Sequence, residues 1–380
     1  MMELSELRSK IDLVDDQILG CFLERMDLTD EIAAYKTEHS LPVLNKTRER
    51  EILSKVTEKA GEREQYAYHL FSTLFELSRA RQAQLISSPT RVRSQVEAAL
   101  TSGDEIFPRT GIVACQGVEG ANSQAACDKL LPRGKIVYVK SFEAVFTAVE
   151  SGLCQFGVLP IENSSNGSVR IVYELLQKKR FSIVRSVRMC IRHELLAKAG
   201  TRLSDIRQIY SHEQAIGQCG RFLASLGPDV KVIPCDNTAT AAKMVAESGE
   251  AHIAAISSHP CAALYGLSAL KEDIQDSDNN YTRFICITKN PVIYAGANRL
   301  SLIIACENKP GALYEILSKL AALGINMSKL ESCPVTGRNF EFMFFLDLDA
   351  SVREPGVLAM LEDLERSCET FVFLGNYAEI

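Results

Sequence analysis

Two groups of residues in this 380-residue chain are placed to do chemistry. The first is a set of polar side chains that interrupt apolar stripes. Leu4, Leu7, Ile11, Val14, Ile18 and Phe22 alternate by three and four, the spacing of one helix face. Continued, that stripe reaches Arg25, Thr29, Ile32 and Lys36, and a later one runs from Phe71 and Phe75 to Ser78, Gln82 and Leu85. One such residue alone reads as a helix-end charge or a satisfied core polar group. Arg25, Lys36, Ser78 and Gln82 together point to an anionic partner inside a bundle, because burying unpaired cations is costly. The second group is the run Val158-Leu159-Pro160-Ile161-Glu162-Asn163-Ser164-Ser165-Asn166-Gly167-Ser168-Val169. An apolar segment ends there in a carboxylate, amides and hydroxyls, just ahead of a helical pattern. Loops of this kind bind ligands in open α/β folds, and a helix N-terminus offers unpaired N–H groups to an anion. The bland alternative is a polar turn with a good cap.

Three textures position these residues. Leu4 to about His39 reads as one helix of ~50 Å at ~1.5 Å per residue, too long to bury its stripe alone. Helices over Thr47 to about Lys59 and Tyr66 to about Ile86 follow, then a linker from Ser87 to Arg109 that includes Thr101-Ser102-Gly103-Asp104. From Gly111, short apolar runs alternate with helices, an α/β pattern. The expected strands are Gly111 to Cys115, Lys135 to Val139, Phe156 to Leu159, Ile209-Tyr210, Val230 to Ile233, Ile253 to Ile256 and Arg283 to Thr288. Four junctions carry polar clusters: Gly117 to Ser123, Glu162 to Ser168, the capping-box pattern Ser211-His212-Glu213-Gln214, and Asp236-Asn237-Thr238. Together they suit a cleft that receives an anion from several helix ends. After a second linker, Asn290 to Asn298, the order from Arg299 to Ile380 is β-α-β-β-α-β, with one strand expected from Glu341 to Leu348.

Composition narrows the function classes. Hydrophobic content of 46% and charged content of 24% are ordinary for a globular chain, and no apolar run reaches the ~18 residues of a spanning helix. The start lacks a signal-peptide pattern, so a cytoplasmic location is expected, without membrane attachment. The net charge of −6 argues against nucleic acid as a partner. Twelve scattered cysteines form no C-x-x-C pair, and six histidines make no H-E-x-x-H, so no metal or cofactor is expected.

In this order, Pro160-Ile161-Glu162-Asn163-Ser164-Ser165, Tyr210-Ser211-His212, Tyr265-Gly266-Leu267 and Thr282-Arg283-Phe284 resemble the dehydratase motifs of the bifunctional chorismate mutase–prephenate dehydratase family. The resemblance covers nearly the whole chain. It implies an all-α mutase bundle over 1–90 and a periplasmic-binding-protein-like α/β dehydratase of two subdomains over 110–288. A ferredoxin-like ACT domain over 299–380 completes it, with Gly311, Ala312, Leu313, Glu331 and Ser332 at its L-phenylalanine motifs. It further implies a homodimer or larger, in which Arg8 reaches the partner's mutase site.

For the mutase, the family pattern gathers Arg8, Arg25, Lys36, Asn45, Arg48, Glu49, Ser78 and Gln82 around chorismate. A Claisen rearrangement needs the substrate held folded and the charge growing on its ether oxygen stabilised. Lys36 and Gln82 suit that oxygen, Arg8 and Arg25 the carboxylates, Glu49 and Ser78 the ring hydroxyl and orientation. For the dehydratase, the pattern gives the departing hydroxyl of prephenate to Thr282. Threonine is a poor acid, so a hydrogen bond or relay is expected, with Glu162 supplying a proton if burial raises its pKa. Asn163, Ser211 and Gln218 are expected to hold carboxylates, Ser211 and Gln218 two turns apart on one helix face, and Arg283 to bind substrate. Departures from the pattern are Asn45 for an aspartate, Ala121 and Asn122 in the glycine motif, and Cys333 for an arginine of the ACT motif. Two other readings stay open: a monofunctional dehydratase with a dimerising bundle, and a non-catalytic amino-acid sensor.

Overall fold

The computed structural model describes residues 3–39, 41–86, 90–100, 105–334 and 342–380. Parts of the expected first linker (87–89, 101–104) and Glu341 lie outside the described residues. The chain divides into two compact units, Met1–Ser94 with Ala359–Ser367, and Gln95–Leu358 with Cys368–Ile380.

The first unit contains α1 (Leu4–Glu38), α2 (Lys46–Ala60) and α3 (Glu64–Ile86). The distal half of α1 buries Thr29 and Ala33, and α3 buries Phe75, Ser78 and Gln82. Ile32, expected on the buried stripe, is exposed. A 3.6-residue helix drifts ~20° per heptad from a three-and-four pattern, so over four heptads the buried line moves off it. Leu4, Leu7, Ile11, Val14 and Ile18 are all exposed, so the proximal stripe of α1 is not covered by the described residues. At the start of α4 (Arg91–Ala99), Arg93 grips the Glu362 carboxylate at 2.6 and 2.9 Å.

In the second unit β1 (Thr110–Gln116), α5 (Asn122–Leu130), β2 (Arg133–Val139), α6 (Phe142–Glu150) and β3 (Phe156–Asn163) form a parallel α/β layer. The two-residue β4 (Gly167–Ser168) folds back on β3, and α7 (Arg170–Lys179) leads to β5 (Ser182–Cys190). The chain then crosses to a second sheet. It contains β6 (Glu194–Ala197), β7 (Gln208–His212), β8 (Lys231–Cys235), β9 (Ile253–Ser257) and β10 (Ser268–Lys271), ordered β10-β6-β9-β7-β8. Helices α8 (Glu213–Gln218), α9 (Gly220–Ser225), α10 (Thr238–Glu247) and α11 (His259–Tyr265) connect its strands. The chain returns through residues 272–280 into β11 (Tyr281–Thr288), which lies between β3 and β5. Two sheets joined by two crossings make the two-subdomain α/β layout expected of this region.

The last segment follows the expected order: β12 (Arg299–Ala305), α12 (Ala312–Ala322), β13 (Asn326–Pro334), β14 (Phe342–Asp349), α13 (Val357–Ser367) and β15 (Thr370–Glu379). Its strands are continuous with the first sheet, because β15 pairs parallel to β5 at Ala378↔Arg185 and Glu379↔Ser186. Gly375 permits this approach: at φ +149° a Cβ there would sit 2.1 Å from the Ile183 carbonyl oxygen. The apolar core is shared too, with the Tyr173 and Phe345 rings 4.3 Å apart. Strand β5 was not among the expected ones. Arg185 and Arg188 break its apolar run, yet Arg185 stacks over Phe107 and Arg188 pairs with Glu379 at 3.1 Å.

Candidate active sites

Neighbouring side chains on a strand point to opposite faces. Strands β3 and β11 pair so that Thr282 lies opposite Asn163 and Arg283 opposite Glu162. Asn163 and Thr282 open onto a cleft of about 430 Å³. All four polar junctions reach this cleft, through Ser123, Asn166, His212 and Asn237 respectively. Asn237 caps α10, accepting the Thr240 N–H at 2.7 Å, while α8 is capped by the His212 ring, not by Ser211. The loop after β3 does not keep its N–H groups for an anion: Asn163 Oδ1 accepts those of Ser165 and Asn166, both at 3.0 Å.

Those two backbone donors fix the Asn163 amide. Its Nδ2 donates to Thr282 Oγ1 and to Asn280 Oδ1, each at 2.9 Å. Asn280 Nδ2 donates to Gln218 Oε1 at 2.9 Å, and His193 Nε2 lies 2.9 Å from the same oxygen. Toward the protein, then, the Thr282 hydroxyl is an acceptor, and among the described residues it donates to none. Asn163, Thr282 and Gln218 are brought together as expected. His193 and Asn280 were not anticipated; one is a lone histidine between apolar runs, the other a loop amide, and neither type nor spacing marks them.

Glu162 and Arg283 face the other way, and their expected roles need correcting. Arg283 is 2% exposed; its Nη2 donates to Asp347 Oδ2 at 2.6 Å, with Glu162 at 3.6 Å and Glu379 at 3.8 Å. Lys329 Nζ donates to Glu162 Oε2 at 2.6 Å. Burial alone would raise the Glu162 carboxyl, but Arg283, Lys329 and Arg188 together hold it below the usual carboxylate range. It is held as an ionised strut between the dehydratase and ACT segments, so the raised pKa on which its expected proton-donor role depended is not found. Nor is Ser211 a ligand donor. It is fully buried on β7, gives its proton to the Ile256 carbonyl at 2.8 Å, and shares no helix with Gln218.

In the first unit, Arg25 donates to the Leu74 carbonyl at 3.1 Å and to the Ser78 hydroxyl. Lys36 Nζ donates to Gln82 Oε1 at 2.9 Å and to the Val43 carbonyl at 2.5 Å. An ammonium only donates, so the Gln82 oxygen faces it and the Gln82 NH₂ is directed elsewhere. Desolvation lowers the pKa of both Arg25 and Lys36, opposed at Lys36 by Glu49. Glu49 is gripped by Arg79 at 2.6 Å to each oxygen, a partner the stripe pattern did not reveal. Asn45 caps α2, its Oδ1 accepting the Arg48 N–H at 3.1 Å, a task either Asn or Asp performs. The Arg48 side chain is exposed and pairs with Glu51 at 3.4 Å. Arg8 lies on the same helix as Lys36, about 42 Å away at ~1.5 Å per residue, and cannot join it within one chain.

In the ACT segment Gly311, at φ +87°, turns the chain into α12, which begins with Ala312 and Leu313. Glu331, Ser332 and Cys333 lie on the edge strand β13. Glu331 shares the Lys329 face, 3.2 Å from its ammonium, and accepts from the Ser168 hydroxyl; Ser332 is exposed. Glu331 is thereby tied to the dehydratase segment, while its strand neighbour Ser332 is not.

Comparison with known proteins agrees with this layout. Family models match in order: chorismate mutase type II over residues 7–83, prephenate dehydratase over 113–292 and ACT domain over 300–366. The bifunctional chorismate mutase/prephenate dehydratase of Escherichia coli K12 is 30% identical over 380 residues, covering 98% of this chain and 96% of that protein. The chloroplastic arogenate dehydratase/prephenate dehydratase 2 of Arabidopsis thaliana is 37% identical over 277 residues, 70% of this chain and 72% of its own. The crystal structure of prephenate dehydratase in complex with L-Phe from Arthrobacter aurescens aligns with a TM-score of 0.64 at 29% identity, covering 70% of this chain and 89% of that one. With three matched segments in order and a full-length relative, the chain belongs to the bifunctional chorismate mutase/prephenate dehydratase family.

Proposed function

We propose the following division of labour in an enzyme that converts chorismate to prephenate and prephenate to phenylpyruvate, under L-phenylalanine feedback. In the helical unit Arg25 clamps a chorismate carboxylate, and Lys36 with the free Gln82 NH₂ stabilises the ether oxygen as its bond breaks. Glu49, held by Arg79, and Ser78, held by Arg25, orient the ring. Arg8 comes from a second copy, whose α1 also covers the exposed stripe of the first; the working state is a homodimer.

In the cleft, the C–C bond to the ring carboxylate breaks and releases CO₂, its electron pair enters the ring, and the C–O bond breaks so that the ring hydroxyl leaves as water, its added proton drawn from solvent and relayed through the Thr282 hydroxyl. Thr282 donates a hydrogen bond to that departing oxygen, while Asn163 and Gln218 hold the substrate. What carries this reading is Thr282 Oγ1, which accepts from Asn163 at 2.9 Å on the cleft face and keeps its own proton for the ligand. None of the twelve cysteines is in a disulfide, which suits a reducing compartment, and we place the enzyme in the cytoplasm. No helix among the described residues is long and apolar enough to cross a membrane.

The test is separate assay of both reactions, with and without phenylalanine. Thr282→Ala should abolish phenylpyruvate formation and leave prephenate formation from chorismate intact. Equal loss of both, or no loss of either, would end this assignment.

A further inference from the structure

The two crossings between the sheets carry His193 (on 191–193) and Asn280 (on 272–280), respectively 3% and 2% exposed. The crossings are bound to each other. The Ile191 N–H donates to the Asn280 carbonyl at 2.7 Å, the Ile274 N–H to the His193 carbonyl at 3.0 Å, and the His193 N–H to Gln275 Oε1 at 3.0 Å. Both backbones are therefore held independently of the His193 and Asn280 side chains.

The direction of every hydrogen bond from here to Thr282 follows from one fixed start. Backbone N–H groups hold Asn163 Oδ1, so the Asn163 NH₂ must meet the Asn280 oxygen. The Asn280 NH₂ then faces Gln218, which must present its oxygen. A ring nitrogen 2.9 Å from that oxygen must carry a hydrogen, so His193 is protonated at Nε2. We propose that His193 and Asn280 are positioning residues for the dehydration. They occupy both lone pairs of the Gln218 oxygen, so the Gln218 NH₂ and, through Asn163, the Thr282 proton are both turned to the ligand.

The surroundings favour a neutral donor. Burial lowers the His193 pKa, opposed by its bond to Gln218. Its Nδ1 is buried with no partner among the described residues; a lone pair there is cheaper to leave unmet than a second N–H. Gln218 belongs to the second lobe, Thr282 and Asn163 to the first, and the two crossings supply the link. The chain of donors is thus complete only when both lobes and both crossings hold their present places.

The kinetic part of this inference rests on the Thr282 assignment; the tautomer does not. His193→Gln keeps an N–H near the place of Nε2, and His193→Leu removes it. With prephenate as substrate, His193→Leu should lower kcat about tenfold, the scale of one neutral hydrogen bond, with KM changed less than about twofold. His193→Gln should recover to within about threefold of the parent. A fully active leucine variant, or a glutamine variant no better than leucine, overturns the proposal. Imidazole ¹⁵N NMR of the unaltered full chain, with His193→Gln to assign the resonance, should show a neutral Nε2–H ring at pH 7. An Nδ1–H ring or an imidazolium overturns the proposal whatever Thr282 does, and this measurement decides alone should the leucine variant fail to fold.

Discussion

Replacing Arg283 by methionine keeps side-chain length and removes the charge that three carboxylates surround. Among the described residues, Asp347, 5% exposed, would keep only the Ser301 hydroxyl as donor. Glu162 would retain Lys329, and Glu379 would retain Arg188 and Arg299, so the stranded charge is chiefly that of Asp347. Breaking a buried pair from one side costs about 3–5 kcal/mol, and with one carboxylate stranded the expectation is about 3 kcal/mol. The double variant Arg283→Met/Asp347→Asn removes the stranded charge and should recover about 1–2 kcal/mol. The assay is urea unfolding of the full chain, followed by dehydratase activity and tyrosine fluorescence, since the sequence has no tryptophan. Thr282 precedes Arg283 on β11, so dehydratase kcat should fall with stability. Mutase activity, from the other unit, should hold. A loss below about 1 kcal/mol, or mutase activity falling in step, would refute the view of Arg283 as the rivet between dehydratase and ACT strands.

Lys36→Ala should remove mutase activity without changing the oligomeric state by sedimentation. Because desolvation holds Lys36 below the usual lysine value of 10.5, mutase kcat/KM should decline on an alkaline limb that begins below that value, and Lys36→Arg should shift the limb upward. The folded pKa of Glu162 lies below its unfolded value near 4.5, so its stabilisation is complete above that pH and is lost as pH falls through the lower folded value. Glu162→Gln should flatten this acid limb of thermal unfolding, yet leave dehydratase kcat within about threefold, whereas losing a true proton donor costs about 10²–10⁴-fold. Asn45→Ala should cost the helical unit about 1 kcal/mol in unfolding measurements, and Asn45→Asp close to nothing.

Much of the architecture was legible in the chain itself. Interrupted stripes located Arg25, Lys36, Ser78 and Gln82, because a helix repeats its faces every three or four residues and polar groups there are conspicuous. Turn chemistry located the four junctions that meet at the cleft. Strand β5 escaped because its arginines find partners, Phe107 and Glu379, from remote parts of the chain. Arg79 escaped because its partner Glu49 sits on another helix.

Sequence alone placed Glu162 beside Asn163 and Arg283 beside Thr282; it could not say which of each pair faces the cleft. A strand alternates its side chains between two faces, and only its pairing and the layers packed on it decide which face meets the ligand. Tertiary structure sent Asn163 and Thr282 to the cleft and Glu162 and Arg283 to the ACT strands. It also brought His193, Gln218 and Asn280 together from three separate stretches, a meeting no local pattern records because the bonds that fix it cross between lobes.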